Sequence, residues 1–452
     1  MTHFGASPKL PLPRFFLNYP LTTSDIPGSD EHIAVSRFRE FLRIKTVQPK
    51  PDYEGCTAFL SSMAKELGLD FHTVECVKGK PTCILTWVGT DPALPSLMLN
   101  CHSDVVPVSE DNWTHDPFAA DKLENGDIIA RGAQDMKCVG IQYLEAIRIL
   151  KQQDKRPLRT VHVTFVPDEE IGGIEGMKLF VKTDEFKKLN IGFALDEGLA
   201  NPGNAYKLFY GERAPWWLTL KAKGGAGHGS QFIEPSATLR LLKVLNKFIA
   251  FRESENIRLR YGRKENGDGY KLGDVTTTNI TILKAGVQVE YYLDCILMCP
   301  YGDLYLGFGA SQHNVVPEAA QAGIDIRIAT TVDLHAFKRQ IEEWCSEDGI
   351  EIEWVNTFWS NACTPTDDTN VWWRILKGVA DKRKIKLEPE IFPAATDSRY
   401  IREVGIPAFG ISPMRNTPVL LHDHDEYLNE KIFLEGVEFY VDLVEAYWNV
   451  CE

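Results

Sequence analysis

The run Val161-His-Val-Thr-Phe-Val-Pro-Asp-Glu-Glu170-Ile-Gly-Gly173 most constrains the fold, because an apolar, β-branched strand stops at a proline and releases three consecutive carboxylates. A strand of this composition reads as buried. Asp168, Glu169 and Glu170 therefore bring concentrated negative charge to the edge of a core. Taken alone, such a triplet is usually a solvated acidic turn, since acidic residues mostly sit in water. Other apolar runs end the same way, however: Ser96-Leu-Met-Leu-Asn-Cys101 delivers His102-Ser-Asp104, and Ile191-Gly-Phe-Ala-Leu195 delivers Asp196-Glu197. His102 and Asp104, two residues apart, point to one side of an extended backbone. Carboxylates buried in this number require cations.

Strand and helix patterns alternate from residue 31 to about residue 212, which predicts an α/β fold with a mainly parallel sheet and ligands at the carboxyl ends of its strands. After Arg213 the pattern changes to strand, helix, strand, strand, helix, strand. That order is the split β-α-β layout of a small α+β, ferredoxin-like domain. The first style returns after residue 356. We therefore expect a catalytic domain formed by residues 31–212 and 357–452, interrupted by an inserted domain at 213–356. A length of 452 residues agrees with more than one unit, at ~150 residues per domain. Residues 1–30, rich in Pro, Ser and Thr and without a secretory pattern, read as a disordered leader. A mitochondrial presequence is the weaker option, because Lys9 and Arg14 are its only basic residues.

A net charge of −14 argues against nucleic acid or an anionic membrane as the main partner. No apolar run approaches the roughly 18 residues that span a bilayer. Ten cysteines, scattered without a Cys-x-x-Cys pair, read as reduced thiols and point to the cytosol.

The strand ends and neighbouring loops collect His102, Asp104, Asp135, Glu169, Glu170, Glu197 and His422. Asp135 precedes a long helix, where an aspartate ordinarily serves as a cap. Imidazole and carboxylate without thiolate suit Zn²⁺, Mn²⁺ or Co²⁺ in an open, catalytic site. There are enough ligands for two ions, which at ~3.5–4 Å apart can share one carboxylate and activate a water. One carboxylate must stay off the metals to move the proton, and the adjacent Glu169 and Glu170 are able to divide these tasks.

The blocks His102-Ser-Asp-Val-Val-Pro, Ala130-Arg-Gly-Ala-Gln-Asp-Met-Lys-Cys, Val166-Pro-Asp-Glu-Glu, Ala194-Leu-Asp-Glu-Gly, Gly227-His-Gly-Ser, Ala394-Ala-Thr-Asp-Ser-Arg-Tyr-Ile-Arg and Leu420-Leu-His-Asp-His-Asp-Glu closely resemble the aminoacylases. These belong to a zinc metallopeptidase family that includes carboxypeptidases and dipeptidases. The resemblance runs from about Ile33 to the C-terminus. It implies hydrolysis of N-acyl-L-amino acids with two zinc ions per subunit: His102, Asp135 and Glu197 on one, and Asp135, Glu170 and His422 on the other. It also implies Glu169 as general base and Asp104 as the acid that orients His102. A homodimer built through the inserted domain is implied too, with His228 donated to the partner's site, where it stabilises the oxyanion. Arg399 then clamps the substrate carboxylate, with Asn314 and Arg327 as further polar contacts. From the residues alone, His228 reads as a turn residue and either arginine as a salt-bridge partner. The competing readings are a dipeptidase or carboxypeptidase of the same family, and a catalytically silent binding subunit.

One stretch departs from the family. A short Gly-Val-x-x-Asn-Val-x-Pro connection is expected, but Gly286-Val-Gln288 and His313-Asn-Val-Val-Pro317 are separated by the apolar, aromatic residues 289–312. Removing that block restores the spacing, and we read it as a translated retained intron. Valine codons begin with GT and a glutamine codon can read CAG, as intron ends do. A genuine insert would instead form a hairpin beside the dimer face. The leader before Glu31 has the look of a gene-model extension of the same kind.

Overall fold

The computed structural model describes residues 31–286, 288–289, 310–311, 313–346 and 349–450. The expected leader at 1–30 and nearly all of the 289–312 block lie outside the described residues. Around the two ends of that block the chain pairs in antiparallel fashion, Gln288 with Ser311 and Val289 with Ala310.

The larger sheet contains β1 (Asp70–Val77), β2 (Lys80–Trp87), β3 (Ser96–His102), β4 (Val161–Val166), β5 (Ile191–Asp196) and β6 (Ala205–Glu212) from the first half of the chain. A smaller sheet then takes over with β7 (Ala214–Lys223), β8 (Thr277–Ala285), β9 (Ala319–Ile328) and β10 (Glu351–Thr357). The chain finally returns to the larger sheet with β11 (Lys386–Phe392) and β12 (Ala408–Ile411). The larger sheet runs β1-β2-β4-β3-β5-β12-β6-β11, and its centre, β4-β3-β5-β12, is parallel throughout. The smaller sheet is antiparallel in the order β8-β9-β7-β10. Strand β1 at the edge, and β6 and β11 at the other end, lie outside the sequence expectation. The half-exposed, mixed polar patterns of β1 and β11 weaken their periodic signal, whereas β6 is mostly buried and its residues Ala205–Glu212 show no clear alternation.

The apolar runs of β3 and β4 are explained by burial on both faces, as parallel strands require. Leu97, Leu99, Cys101, Val161, Val163, Phe165, Phe193 and Leu195 pack into one hydrophobic cluster, while Met98, Val166 and Ala194 pack into another on the opposite face. The helices covering the first face include α1 (Ile33–Leu42), α3 (Lys137–Gln152) and the last helix of the chain, α8 (Glu430–Trp448). Between α1 and α3 comes α2 (Tyr53–Leu67), which ends at Gly68 in the left-handed region, φ +60°. Aromatic pairs weld the layer: Phe38 stacks on Phe433 at 4.5 Å between centroids, and Tyr143 meets Tyr440 edge-on at 4.6 Å. The smaller sheet carries α4 (Ala237–Tyr261) and α5 (Leu334–Ser346). In the returning half, α6 (Val371–Lys382) and α7 (Ser398–Glu403) precede α8. Among the described residues no helix is long and apolar enough to cross a membrane.

Parallel alignment decides where the chemistry sits. His102 is level with Val166, and Asp196 with Gly410. The chain therefore leaves β3, β4, β5 and β12 at one common edge.

Candidate functional site

Three of the crossings at this edge carry acids or imidazole. β3 ends on His102, β5 ends on Asp196 and continues into Glu197, and β4 passes through Pro167 into a tight turn. In that turn Asp168 is left-handed, φ +62°, and a single 3₁₀ turn follows at Glu169–Ile171. The reversal separates three consecutive acids that an extended strand would have fanned to alternate sides. Asp168 turns inward, away from its neighbours. It accepts from Tyr53 Oη at 2.7 Å and Gln48 Nε2 at 3.1 Å, and it pairs with Lys80.

Glu169 and Glu170 face the other residues expected at the site. His102 Nε2 lies 3.0 Å from Asp135 Oδ1 and 3.7 Å from Glu197 Oε2. On the far side of the same aspartate, His422 Nε2 lies 3.2 Å from Asp135 Oδ2 and 3.0 Å from Glu170 Oε2. Asp135 thus offers one oxygen to each imidazole. It does not cap α3, whose N-cap is Met136 with no side-chain capping bond. His422, from a loop late in the chain, has a left-handed backbone at φ +62°. Glu169 is near enough to join His102 and Glu197 in a second ligand triad, beside that of His102, Asp135 and Glu170.

The electrostatics fit cations. Burial pushes the carboxyls of Glu169 and Glu197 well above the usual range, and their acidic neighbours add to it: Glu197 beside Glu169, and Asp135 beside Glu197. Glu170 is raised to about 7 by burial and then by Asp135. His422 is raised to about 10 by its bonds to Asp135 and Glu170. Burial works against protonated His102, yet bonds to Asp104, Asp135 and Glu197 hold its pKa well up. Glu170 Oε1 is buried with no hydrogen-bond partner. A buried acceptor normally has one. Oxygen and nitrogen donors crowded together, short of positive charge and with an orphaned oxygen, suit one or more divalent ions.

The outer partners fix this geometry. His102 Nδ1 meets the backbone carbonyl of Asp104 at 2.9 Å, while the Asp104 carboxylate is farther off at 3.7 Å. That carboxylate mainly grips the next turn, accepting from Glu169 N at 3.1 Å and Glu170 N at 3.3 Å. Fully buried Glu426 does the same for the Asp135 loop, taking Gly132 N, Gln134 N, Asp135 N and Arg131 Nη1. Below the site runs a buried polar chain: Thr164 donates to Asn100, Asn100 to Asp196, and Ser398 to Asp196. Asp397, also buried, has neither oxygen hydrogen-bonded. Burial and then Asp196 drive its carboxyl up, with Arg399 opposing.

The remaining expected site residues lie elsewhere. Arg399 is buried, with its guanidinium directed to Thr396 O at 3.0 Å and Gly172 O at 2.7 Å, and it is stacked on Tyr400. It therefore braces the turn that carries Glu169. Arg327 pairs with Asp325 at 2.9 Å on β9. His228 is exposed and bonds Ser230 Oγ through Nδ1 at 2.7 Å. It pairs with Val315, next to Asn314, whose carbonyl accepts from Gly229. Among the described residues, no hydrogen bond or ion pair joins His228, Asn314 or Arg327 to the His102 cluster. Gln48, Tyr53, Lys80, Asn100 and Asp397 were not anticipated, because each sits singly in a helix, strand or loop with an ordinary pattern. Glu426 was foreshadowed only by its place in the His422 loop.

Residues 98–446 match peptidase family M20/M25/M40. The chain belongs to this family. Aminoacylase-1 from Mus musculus is 49% identical over 432 residues, covering 95% of this chain and 98% of the relative. Aminoacylase-1 from Dictyostelium discoideum is 46% identical over 422 residues, covering 93% and 98%. Among solved structures, an M20 family metallo-carboxypeptidase from Sulfolobus solfataricus matches with a TM-score of 0.70 at 17% identity, covering 93% of this chain and 100% of that one. A dinuclear metal-binding M20 peptidase from Bacillus subtilis matches with a TM-score of 0.60 at 15% identity, covering 91% and 98%. At these identities the structures speak for the M20 fold alone. The two-sheet architecture of this chain is that fold.

Proposed function

We infer that this M20 protein is a metal-dependent amidohydrolase that cleaves N-acyl-L-amino acids to a carboxylate and a free L-amino acid. The observation that carries the reading is its identity of 46–49% with aminoacylase-1 proteins over more than nine-tenths of both chains. The buried imidazole–carboxylate cluster supplies the matching chemistry. In this reading two zinc ions bind per subunit. His102, Asp135 and Glu197 hold one, and Asp135, Glu170 and His422 hold the other. The two-sided approach of His102 and His422 to Asp135 supports the shared ligand. Bound zinc supplies Lewis acidity, acidifying a water and polarising the acyl carbonyl.

The chain's own residues complete the reaction. Glu169 accepts a proton from the attacking water as the water oxygen bonds to the acyl carbon. It returns that proton to the nitrogen as the C–N bond breaks with its electron pair staying on nitrogen. Asp104 keeps Glu169 at its post by holding its backbone N–H. For Arg399 to clamp the substrate carboxylate, to which a bidentate pair is suited, its guanidinium must exchange the Thr396 and Gly172 carbonyls for the substrate on binding. Asn314 and Arg327 add polar contacts. A panel of N-acetyl-L-amino acids and dipeptides tests this directly. Acyl-amino acids are expected to turn over with a kcat/KM at least tenfold above any dipeptide, and the reverse order would make the protein a peptidase.

The proposed assembly is a cytosolic homodimer joined through residues 213–356. β8 is the edge strand of the smaller sheet and exposes Ile280, Ile282 and Leu283, an apolar strip suited to a second copy. Described cysteines such as Cys56, Cys101 and Cys138 are free thiols, as suits a reducing compartment. His228 then acts on the partner's substrate as an oxyanion donor. Mixing inactive His228→Ala and Glu169→Gln homodimers under subunit exchange is expected to restore activity, because one site of each hybrid regains both groups. Persistent inactivity of confirmed hybrids would place His228 in its own subunit's site.

A further inference from the structure

The end of β3 carries the proposed ligand His102, and the turn after β4 carries the proposed base Glu169 and ligand Glu170. The reaction needs these groups at a fixed separation, yet they belong to different strands. One neutral side chain spans the two turns. Gln48 is buried, and its Nε2 lies 2.8 Å from Asp104 Oδ2 and 3.1 Å from Asp168 Oδ1. Asp104 and Asp168 are themselves fully buried, and each has a hold on the catalytic segment. Asp104 accepts the backbone N–H groups of Glu169 and Glu170, while Asp168 starts the turn and is anchored by Tyr53 and Lys80.

A primary carboxamide carries two N–H donors and no charge. It is the side chain that can serve two neighbouring carboxylates at once without adding a charge to the site. A glutamate here would offer no donor and a third negative group. An aliphatic residue would leave two buried acceptors short of a partner, in surroundings where a missing bond is costly. The backbone fixes the carboxamide from behind: Gln48 N donates to Val105 O at 3.0 Å, and Val105 N to Thr46 O at 3.0 Å. Val47 and Val105 form a parallel bridge. Gln48 is therefore tied by its main chain to the residue after Asp104, and by its side chain to both acids.

We propose that Gln48 is a positioning residue for the M20 reaction, a clip that sets the His102 turn against the Glu169–Glu170 turn through Asp104 and Asp168. It touches neither a proposed metal ligand's side chain nor the substrate. Its effect passes through two carboxylates, as outer partners of metal sites commonly work, with losses of ~10–100-fold when removed. The inference rests on the functional reading above for its turnover arm, but not for its spectroscopic one.

The test compares wild type, Gln48→Leu and Gln48→Glu as full-length, metal-loaded protein. Two quantities are read: kcat and KM on N-acetyl-L-methionine, and the visible absorption spectrum after replacing zinc with Co²⁺. Both variants are expected to lose about tenfold or more in kcat with KM within about twofold, and to shift the cobalt bands, because the ligands move while the substrate contacts stay. Wild-type kcat together with an unchanged cobalt spectrum overturns the proposal. If Gln48→Leu does not fold, Gln48→Asn decides. Its amide is retained but falls one methylene short of spanning both acids, so it is expected to show the same kcat loss and band shift, and wild-type behaviour refutes the clip. If wild type itself fails to hydrolyse the substrate, the functional reading fails, and the cobalt spectra still decide the role of Gln48.

Discussion

Glu169→Gln is expected to lower kcat by about 10²–10⁴-fold, the range associated with removing a positioned general base, while KM and zinc content stay near wild type. The substitution keeps size and removes only the ability to take a proton. The buried backbone around it is held by Asp104 and is not disturbed. Metal content carries the discrimination, because Glu169 lies close enough to His102 and Glu197 to serve as a ligand instead. A ligand role predicts loss of zinc along with turnover, whereas a base role predicts loss of turnover alone. Metal analysis and steady-state kinetics on the same preparation separate the two.

Asp135→Ala is expected to have the other large effect, with loss of both metals and of nearly all activity. Its two oxygens face different imidazoles, so removing the one side chain opens both halves of the cluster. The loss should exceed the ~10–100-fold that follows deletion of an outer partner. It should also exceed the effect of Glu197→Ala or His422→Ala, each of which touches one half. Zinc per subunit, measured after dialysis against metal-free buffer, is expected near zero for Asp135→Ala and near one for each of those two. Equal retention of metal by all three variants would contradict the shared role of Asp135.

The parts of this arrangement that were legible in the sequence are those where local pattern and chemistry coincide. Strands β3, β4 and β5 declare themselves as apolar runs because they are buried on both faces. Their polar terminators, His102, Glu169, Glu170 and Glu197, then stand out against that background. His422 and Asp135 belong to loops and were reached through their company and through family resemblance. What escaped notice has no local signature. Gln48 is an ordinary polar residue in an irregular segment, and only the meeting of three chain segments turns it into a link between two acids. Lys80 and Tyr53 are likewise defined by Asp168, 88 and 115 residues away. Asp104 was expected to orient His102 with its carboxylate. The nearer contact to the imidazole is instead its carbonyl, and the carboxylate serves the neighbouring turn, a distinction made by the reversal at Asp168 that composition does not encode. The long-range sheet order and the strands β1 and β11 were also hidden, since half-exposed strands carry weaker periodicity than buried ones, and so was the buried β6, whose mixed residues do not alternate.

The central claim is that this site hydrolyses acylated amino acids by means of metal ions. It is tested most directly by following chelator-stripped protein with N-acetyl-L-methionine by NMR while zinc is added in steps. The expected result is no product from the stripped protein, then acetate and methionine appearing in equal amounts, with the rate rising until two zinc ions are bound per subunit. Full turnover in the stripped protein, or no acetate release from fully loaded protein, would contradict the account.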